Sequence, residues 1–267
     1  MRKLNLVLVG WGAIGARVAG LLAARDAPVS LCAVALRDAD VPRTGLSPDI
    51  PILTKPQALA AFSPDLVVEA AGRAAVLPWG CAALSAGADF APVSMSAFSD
   101  GDALAELLAL ARQHGRQILV PPGALGGIDA LAAAARLPLT SVTHEITKSP
   151  TGWLGTPAES LCQLAQLKAP HCFFEGSAQQ AAQDFPQNAN VAITTALAGL
   201  GPVCTFIRLI ADPATILNRH CVTAEGAFGR LEIRLENRPL ASNPKSSELT
   251  ALSLVRLIEN RIAPLVI

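Results

Sequence analysis

Four short stretches of this sequence hold residues whose types and spacing suit chemistry. The first is Gly10-Trp11-Gly12-Ala13-Ile14-Gly15. In a G-x-G-x-x-G turn from strand to helix, the first glycine permits the tight turn, the second lets the backbone approach a pyrophosphate, and the third lets helix pack closely on strand. The phosphates then meet amide donors at a helix N-terminus, here around Gly12, Ala13, Ile14 and Gly15, where the dipole favours negative charge. The second stretch, Pro121-Pro122-Gly123-Ala124-Leu125-Gly126-Gly127, puts small residues at a strand end. Such residues admit a ligand close to the backbone, and they equally suit an interdomain hinge. In the third, Asn188 and Asn190 precede a long apolar segment. They read as helix caps or as amide partners for a nicotinamide carboxamide. The fourth is Asn218-Arg219-His220. Arg219 offers a fork suited to a carboxylate, and His220 can exchange a proton near neutral pH. The plain alternative is one solvated arginine and one structural histidine.

Weaker signals surround these. Leu36-Arg37-Asp38 stands where a dinucleotide-binding strand usually ends in an acid against the ribose 2′-OH. Asp38 fits that role for NAD, while Arg37 would meet the 2′-phosphate of NADP, so both cofactors stay open. Lys148 and Lys245, in Thr147-Lys148-Ser149-Pro150 and Asn243-Pro244-Lys245, each place an ammonium where a substrate acid could bind, or are solvated surface charges. His114 reads as a surface residue, and His144 and His171 as structural. Cys221 is a poor hydrogen-bonding neighbour for His220, which leaves open what orients the imidazole. Six cysteines, none in C-x-x-C spacing, and four scattered histidines offer no metal site. The thiols are expected to be small buried hydrophobes in a reduced, cytoplasmic chain.

The elements that must position these residues follow from composition and pattern. The chain has 267 residues, 21 basic and 21 acidic, with 51% apolar residues and a mean hydropathy of +0.41. Balanced charge argues against nucleic acid as a partner, and the apolar content excludes disorder as the main state. No run reads as a membrane span, because Phe185–Ile207 is broken by Pro186, Gly199, Gly201 and Pro202. Leu4–Ala24 imitates a secretory signal but is interrupted by Gly10, Gly12, Gly15 and Arg17.

Strands at Leu4–Val9, Val29–Leu36, Asp65–Glu69, Asp89–Val93 and Gln117–Val120 alternate with helices at Ala13–Arg25, Gln57–Phe62, Val76–Ala86 and Asp102–His114. That alternation predicts a parallel, doubly wound sheet. Beyond it, helices are expected at Gly126–Arg136, Thr156–Leu167, Ala178–Ala182 and Ala189–Leu200. Strands at Leu139–Thr147, Val203–Ala211, Thr215–Ala224 and Gly229–Glu236 predict a mostly antiparallel sheet. Ser246–Arg261 reads as an amphipathic helix capped by Ser246 or Ser247, burying Leu249, Leu252, Val255 and Ile258. The expected fold is thus α/β. A Rossmann-type dinucleotide-binding domain spans 1–122, a smaller α+β catalytic and dimerisation domain spans 123–240, and a C-terminal segment, 241–267, packs back on the first.

Taken together the motifs resemble those of the L-aspartate dehydrogenase family. The resemblance rests on Gly10–Gly15, Val67-Val68-Glu69-Ala70-Ala71, Gly123–Leu131, Phe185–Val191, Asn218-Arg219-His220 and Asn243–Ser247, and runs nearly the full length. It implies NAD(P)-dependent oxidation of L-aspartate to iminoaspartate, which hydrolyses to oxaloacetate and ammonia, and its reversal as reductive amination. It implies His220 as the catalytic residue and Ala70, Ala71, Ala124 and Asn190 as cofactor-binding residues. A homodimer and a role in NAD biosynthesis belong to the same expectation. A homoserine dehydrogenase-like enzyme and a non-catalytic dinucleotide sensor are the competing readings.

Overall fold

The computed structural model describes residues 3–186 and 188–267, apart from the side chains of Pro244 and Lys245. The chain forms two compact units, one built from residues up to Pro121 together with Ala251–Ile267, the other from Pro122–Thr250.

In the first unit, β1 (Leu4–Val9) leads into α1 (Ala13–Ala24), then β2 (Val29–Ala35), β3 (Ile52–Leu53), β4 (Leu66–Glu69), α2 (Arg73–Ser85), β5 (Asp89–Pro92) and α3 (Asp102–His114). The five strands are parallel in the order β3-β2-β1-β4-β5. This is the doubly wound arrangement, with β1 central and its C-terminal end at the place where strand order reverses. Strands buried on both faces read as largely apolar runs, as β1 does apart from Asn5 and β4 apart from its last residue, Glu69.

The second unit begins with α4 (Ile128–Ala134) and β6 (Leu139–Lys148). Then come α5 (Ala158–Leu161), β7 (His171–Ser177), α6 (Ala178–Asp184), α7 (Asn190–Ala198), α8 (Gly201–Cys204), β8 (Phe206–Ala211), β9 (Asn218–Gly226), β10 (Gly229–Asn237), β11 (Pro239–Leu240) and β12 (Asn243–Ser247). Its main sheet has the order β10-β9-β6-β8-β7, antiparallel except for the β6–β8 pair. The last helix, α9 (Glu248–Asn260), belongs from Ala251 onward to the first unit. There Ala251, Leu254, Val255 and Ile258 join Leu6, Leu8, Val34 and Val68 in one core cluster.

Several expected elements differ. Gln117–Val120 is not a strand but a single parallel bridge, Phe90 to Ile118, because Pro121 and Pro122 end the ladder at once. Thr156–Leu167 is not one helix; Gly155 at φ +70 and Pro157 confine it to the short α5 and a following 3-10 turn. β3 and β7 were not expected. β8 starts three residues later than predicted because Gly201 and Pro202 open a helical turn. β9 starts late because the Asp212 carboxylate accepts from the Ala214 amide and Thr215 bonds with Leu217, a closed turn. The buried stripe of α9 is rotated from the expected one, taking in Ala251 and Leu254 and leaving Leu252 43% exposed. The thiols are not core residues: none of the six is fully buried, Cys204 is exposed, and none is disulfide-bonded.

Candidate functional site

The glycine turn has the geometry that a pyrophosphate requires. Gly10 sits at φ +99, and a Cβ there would lie 2.8 Å from the Ala70 carbonyl oxygen. A Cβ on Gly15 would lie 2.2 Å from the Gly10 carbonyl oxygen. Those two positions are closed by backbone. Gly12 differs: nothing lies within 4 Å of a Cβ built on it, and it begins α1 without a side-chain cap. The first amides of α1, which have no intrahelical acceptor, therefore face open space over Gly12. An anionic dinucleotide phosphate fits this cradle by shape and charge.

The neighbouring loop is held by a residue that sequence reasoning gave no role. Glu69 ends β4 fully buried. Its carboxylate accepts from the amides of Ala71 (2.8 Å), Gly72 (2.7 Å) and Ser94 (3.1 Å) and from the Ser94 hydroxyl (2.9 Å). One side chain thus fixes the turns after β4 and β5, and with them Ala70, which touches Gly10. Arg37 and Asp38 lie exposed just past β2. Asp38 accepts from the Asp40 amide at 2.9 Å.

In the second unit a polar cluster is buried on the inner face of the sheet. Register pairs His220 on β9 with Ile146 on β6, so side chains two residues either side of Ile146 flank the imidazole diagonally. They are His144 and Lys148. His144 Nε2 lies 3.1 Å from His220 Nδ1, and the Thr195 hydroxyl of α7 lies 3.0 Å from His144 Nδ1. All three residues are buried. Lys148, also buried, donates to the Asn188 side-chain oxygen at 2.7 Å and stands over the Trp153 ring, 5.1 Å from its centre. Trp153, to which the sequence assigned no role, is fully buried and donates its indole N–H to the Ile210 carbonyl. Burial, and secondarily the Lys148 ammonium, push the His220 imidazole down to about 3. Burial, then His220, hold His144 well below the usual histidine range.

Other candidate residues are placed as follows. Asn188 caps nothing; α7 has Ala189 as its N-cap with no side-chain hydrogen bond. Asn190 is the first residue of α7, and its carbonyl accepts from Thr194. Ala124 is buried, and its carbonyl accepts from the Asn237 side-chain amide at 2.7 Å. Gly127, at φ +66, leaves no room for a side chain beside Ile233. Arg219 does not join His220. Adjacent strand residues point to opposite faces, and Arg219 pairs instead with Asp212 (3.1 Å) and Glu236 (2.8 Å). The Lys245 side chain lies outside the described residues. His144, expected to be structural, bridges Thr195 and His220. Its signal in sequence was its even spacing from Lys148 on a strand, which places both on one face.

Comparison with known proteins decides the family. An L-aspartate dehydrogenase of Brucella anthropi is 54% identical over 263 residues, 98% of each chain. The chain belongs to the L-aspartate dehydrogenase family. Residues 129–261 match the family described as "Aspartate dehydrogenase, C-terminal", and residues 10–121 match "Homoserine dehydrogenase, NAD binding domain". A further L-aspartate dehydrogenase, from Polaromonas, is 44% identical over 99% of this chain and 100% of its own. The crystal structure of aspartate dehydrogenase from Thermotoga maritima superposes with a TM-score of 0.80 at 25% identity, covering 99% of both chains. A homoserine dehydrogenase from Thiobacillus denitrificans, at 14% identity and a TM-score of 0.61, covering 99% of this chain and 75% of its own, shares the fold. The first unit of this family member is accordingly an NAD(P)-binding domain. Among the described residues no helix is long and apolar enough to cross a membrane.

Proposed function

We propose that the chain oxidises L-aspartate to iminoaspartate, with His220 as the catalytic proton acceptor and Lys148 as a carboxylate partner. The observation that carries this is a buried imidazole coupled to a buried ammonium in one polar cluster, in a chain so similar to L-aspartate dehydrogenases.

The substrate ammonium must lose a proton before its lone pair can help expel hydride, so a base within hydrogen-bond reach is required. Nδ1 of His220 is engaged by His144, which leaves Nε2 for the substrate. The imidazole is neutral at physiological pH because burial and Lys148 both disfavour its protonation. A substrate carboxylate drawn to Lys148 offsets that positive charge. It thereby raises the proton affinity of His220 at the moment a proton has to be taken up. Asn188 and the Trp153 face hold the ammonium in place. When bound, NAD or NADP supplies the nicotinamide carbon that takes the hydride from Cα. Ala124 and Asn190 are proposed as its contacts on the family resemblance, and the glycine turn with Ala70 and Ala71 as the phosphate site on the geometry above. Water added to the imine gives oxaloacetate and ammonia, and His220, once it has released the first proton to solvent, can accept the one that the attacking water gives up. The reverse reaction is reductive amination. Assembly as a homodimer, a cytoplasmic location and delivery of iminoaspartate to NAD biosynthesis are part of the same reading and rest on the family alone.

The test is a steady-state assay of L-aspartate, L-homoserine and L-malate with NAD and with NADP, following reduced nicotinamide. L-aspartate is the substrate turned over. Replacement of His220 by alanine lowers kcat by about 10²-fold or more, the lower end of general acid–base contributions, while nucleotide affinity survives. Preference for homoserine would select the related dehydrogenase. Nucleotide binding without turnover of any of the three would select a sensor.

A further inference from the structure

A buried imidazole serves as a base only if its lone pair faces the substrate, and nothing adjacent to His220 in sequence secures that. The structure assigns this task to two residues distant in the chain: Thr195 and His144 act as positioning residues that place the His220 proton on Nδ1 and its lone pair on Nε2. The inference rests on the reading of His220 as the proton acceptor.

The argument is a count of protons along one chain of hydrogen bonds. The Thr195 hydroxyl carries a single proton, and it donates to the Val191 carbonyl one helical turn back, at 3.1 Å. With that proton kept on the carbonyl, the i−4 back-bond that a helical threonine makes, the contact with His144 Nδ1, at 3.0 Å, is one in which Thr195 accepts and His144 Nδ1–H donates. Burial and the neighbouring imidazole keep His144 neutral, so its other nitrogen, Nε2, carries no proton. That nitrogen lies 3.1 Å from His220 Nδ1, which must therefore be the donor. Neutral His220 is left with its lone pair on Nε2. When the substrate ammonium gives its proton to Nε2, the Nδ1–H bond to His144 is kept, so no group along the chain has to rotate. Many catalytic histidines elsewhere are oriented by a carboxylate. A neutral imidazole in that position adds no negative charge to neutralise Lys148, whose charge is wanted for the substrate.

The experiment is 15N NMR of the imidazoles in the full chain without ligand, read beside steady-state kinetics. In the unaltered protein His220 shows a protonated Nδ1 and an unprotonated Nε2. Thr195→Val keeps shape but removes the hydroxyl. It mixes the two tautomers at His220 and lowers kcat by about 10–100-fold, the scale of orienting-shell losses, with KM for L-aspartate and nucleotide affinity little changed. Thr195→Ser restores both spectrum and rate. His144→Leu has the larger effect, and if it fails to fold the threonine pair decides alone. A protonated Nε2 on His220 in the unaltered protein overturns the inference, as does a Thr195→Val chain with unchanged spectrum and kcat. Should L-aspartate prove not to be the substrate, the spectra still decide the tautomer, so the two failures are distinct.

Discussion

Lys148 and Arg219 were equivalent as carboxylate partners on charge alone, and the fold separates them. Lys148 lies in the histidine cluster, whereas Arg219 is on the other face of β9 between two acids. A hydrogen bond to a charged group contributes ~1.5–3 kcal/mol, so Lys148→Met raises KM for L-aspartate by about 10–150-fold, and Arg219→Ala by less than about threefold. Both constants come from one steady-state series, and the opposite order would move the carboxylate site to Arg219. The buried histidines also tie stability to pH. His220 ordinarily titrates near 6.5 but in the fold is pushed down to about 3. Between those values the unfolded chain binds the extra proton, so stability falls as pH falls through that window, by about 1.4 kcal/mol per pH unit for each such histidine. Urea unfolding at pH 8, 6 and 5 measures the slope. His220→Gln lowers the slope below pH 6 by about that amount, and an unchanged slope would show that His220 does not remain neutral in the fold. His220 stood out in sequence because it sits beside Asn218 and Arg219 in a recognisable motif. Its partners did not: His144 is 76 residues from His220, and Thr195, between them in the chain, is 51 residues from His144. Only sheet register and the packing of α7 on the sheet bring them together.

At the scale of elements, the strand, turn and helix around Gly10 were fully legible, because three constraints coincide there: a buried strand, a tight turn and a close helix contact. The glycines nonetheless have different jobs. Gly15→Ala drives a methyl into the Gly10 carbonyl. Such overpacking costs ~1–3 kcal/mol, and Tm falls by several degrees. Gly12→Ala meets only open space, so Tm stays near that of the unaltered chain while the dissociation constant for NAD or NADP rises. Thermal melts and nucleotide titration of the two variants check this, and a Gly12→Ala chain that binds nucleotide normally would remove the phosphate from that spot. Elements lacking such coincident constraints were misread. β7 carries Cys172, Phe173 and Phe174 beside polar neighbours and shows no clean alternation. The stripe of α9 was assigned by leucine spacing, which missed that Ala251 and Leu254 face the core. A small residue can mark the buried side of a helix as well as a large one.

For the whole molecule, the parallel sheet and the mostly antiparallel sheet could be read from the order of strands and helices. The partners across each sheet could not, because register is set by side-chain fit between segments far apart. The path of α9 ties stability of the first unit to a segment that follows the second unit in the chain. Ala251, Leu254, Val255 and Ile258 are buried in its core, and Arg25 pairs with Glu259 as Arg261 does with Asp89. The exposed Arg25 pair adds little, but full burial of each large aliphatic side chain is worth ~1.5–3 kcal/mol. A chain ending at Thr250 therefore loses a large part of the margin by which a domain is stable. It binds nucleotide poorly and exposes apolar surface to a hydrophobic dye. Retention of normal nucleotide affinity by that chain would show that α9 is dispensable to the first unit.

That same path inverts the order in which the protein is made and finished. Domains generally fold as units, N-terminal first, while synthesis proceeds at ~5–20 residues per second. Here the glycine turn and the parallel strands precede the second unit on the ribosome, yet the α9 residues that complete their core are translated after it. The contiguous segment Pro122–Thr250 can close beforehand. The nucleotide-binding half completes its core only once Ala251–Ile258 has emerged, so a ribosome stalled before Ala251 holds a nascent protein whose first-made part is still waiting.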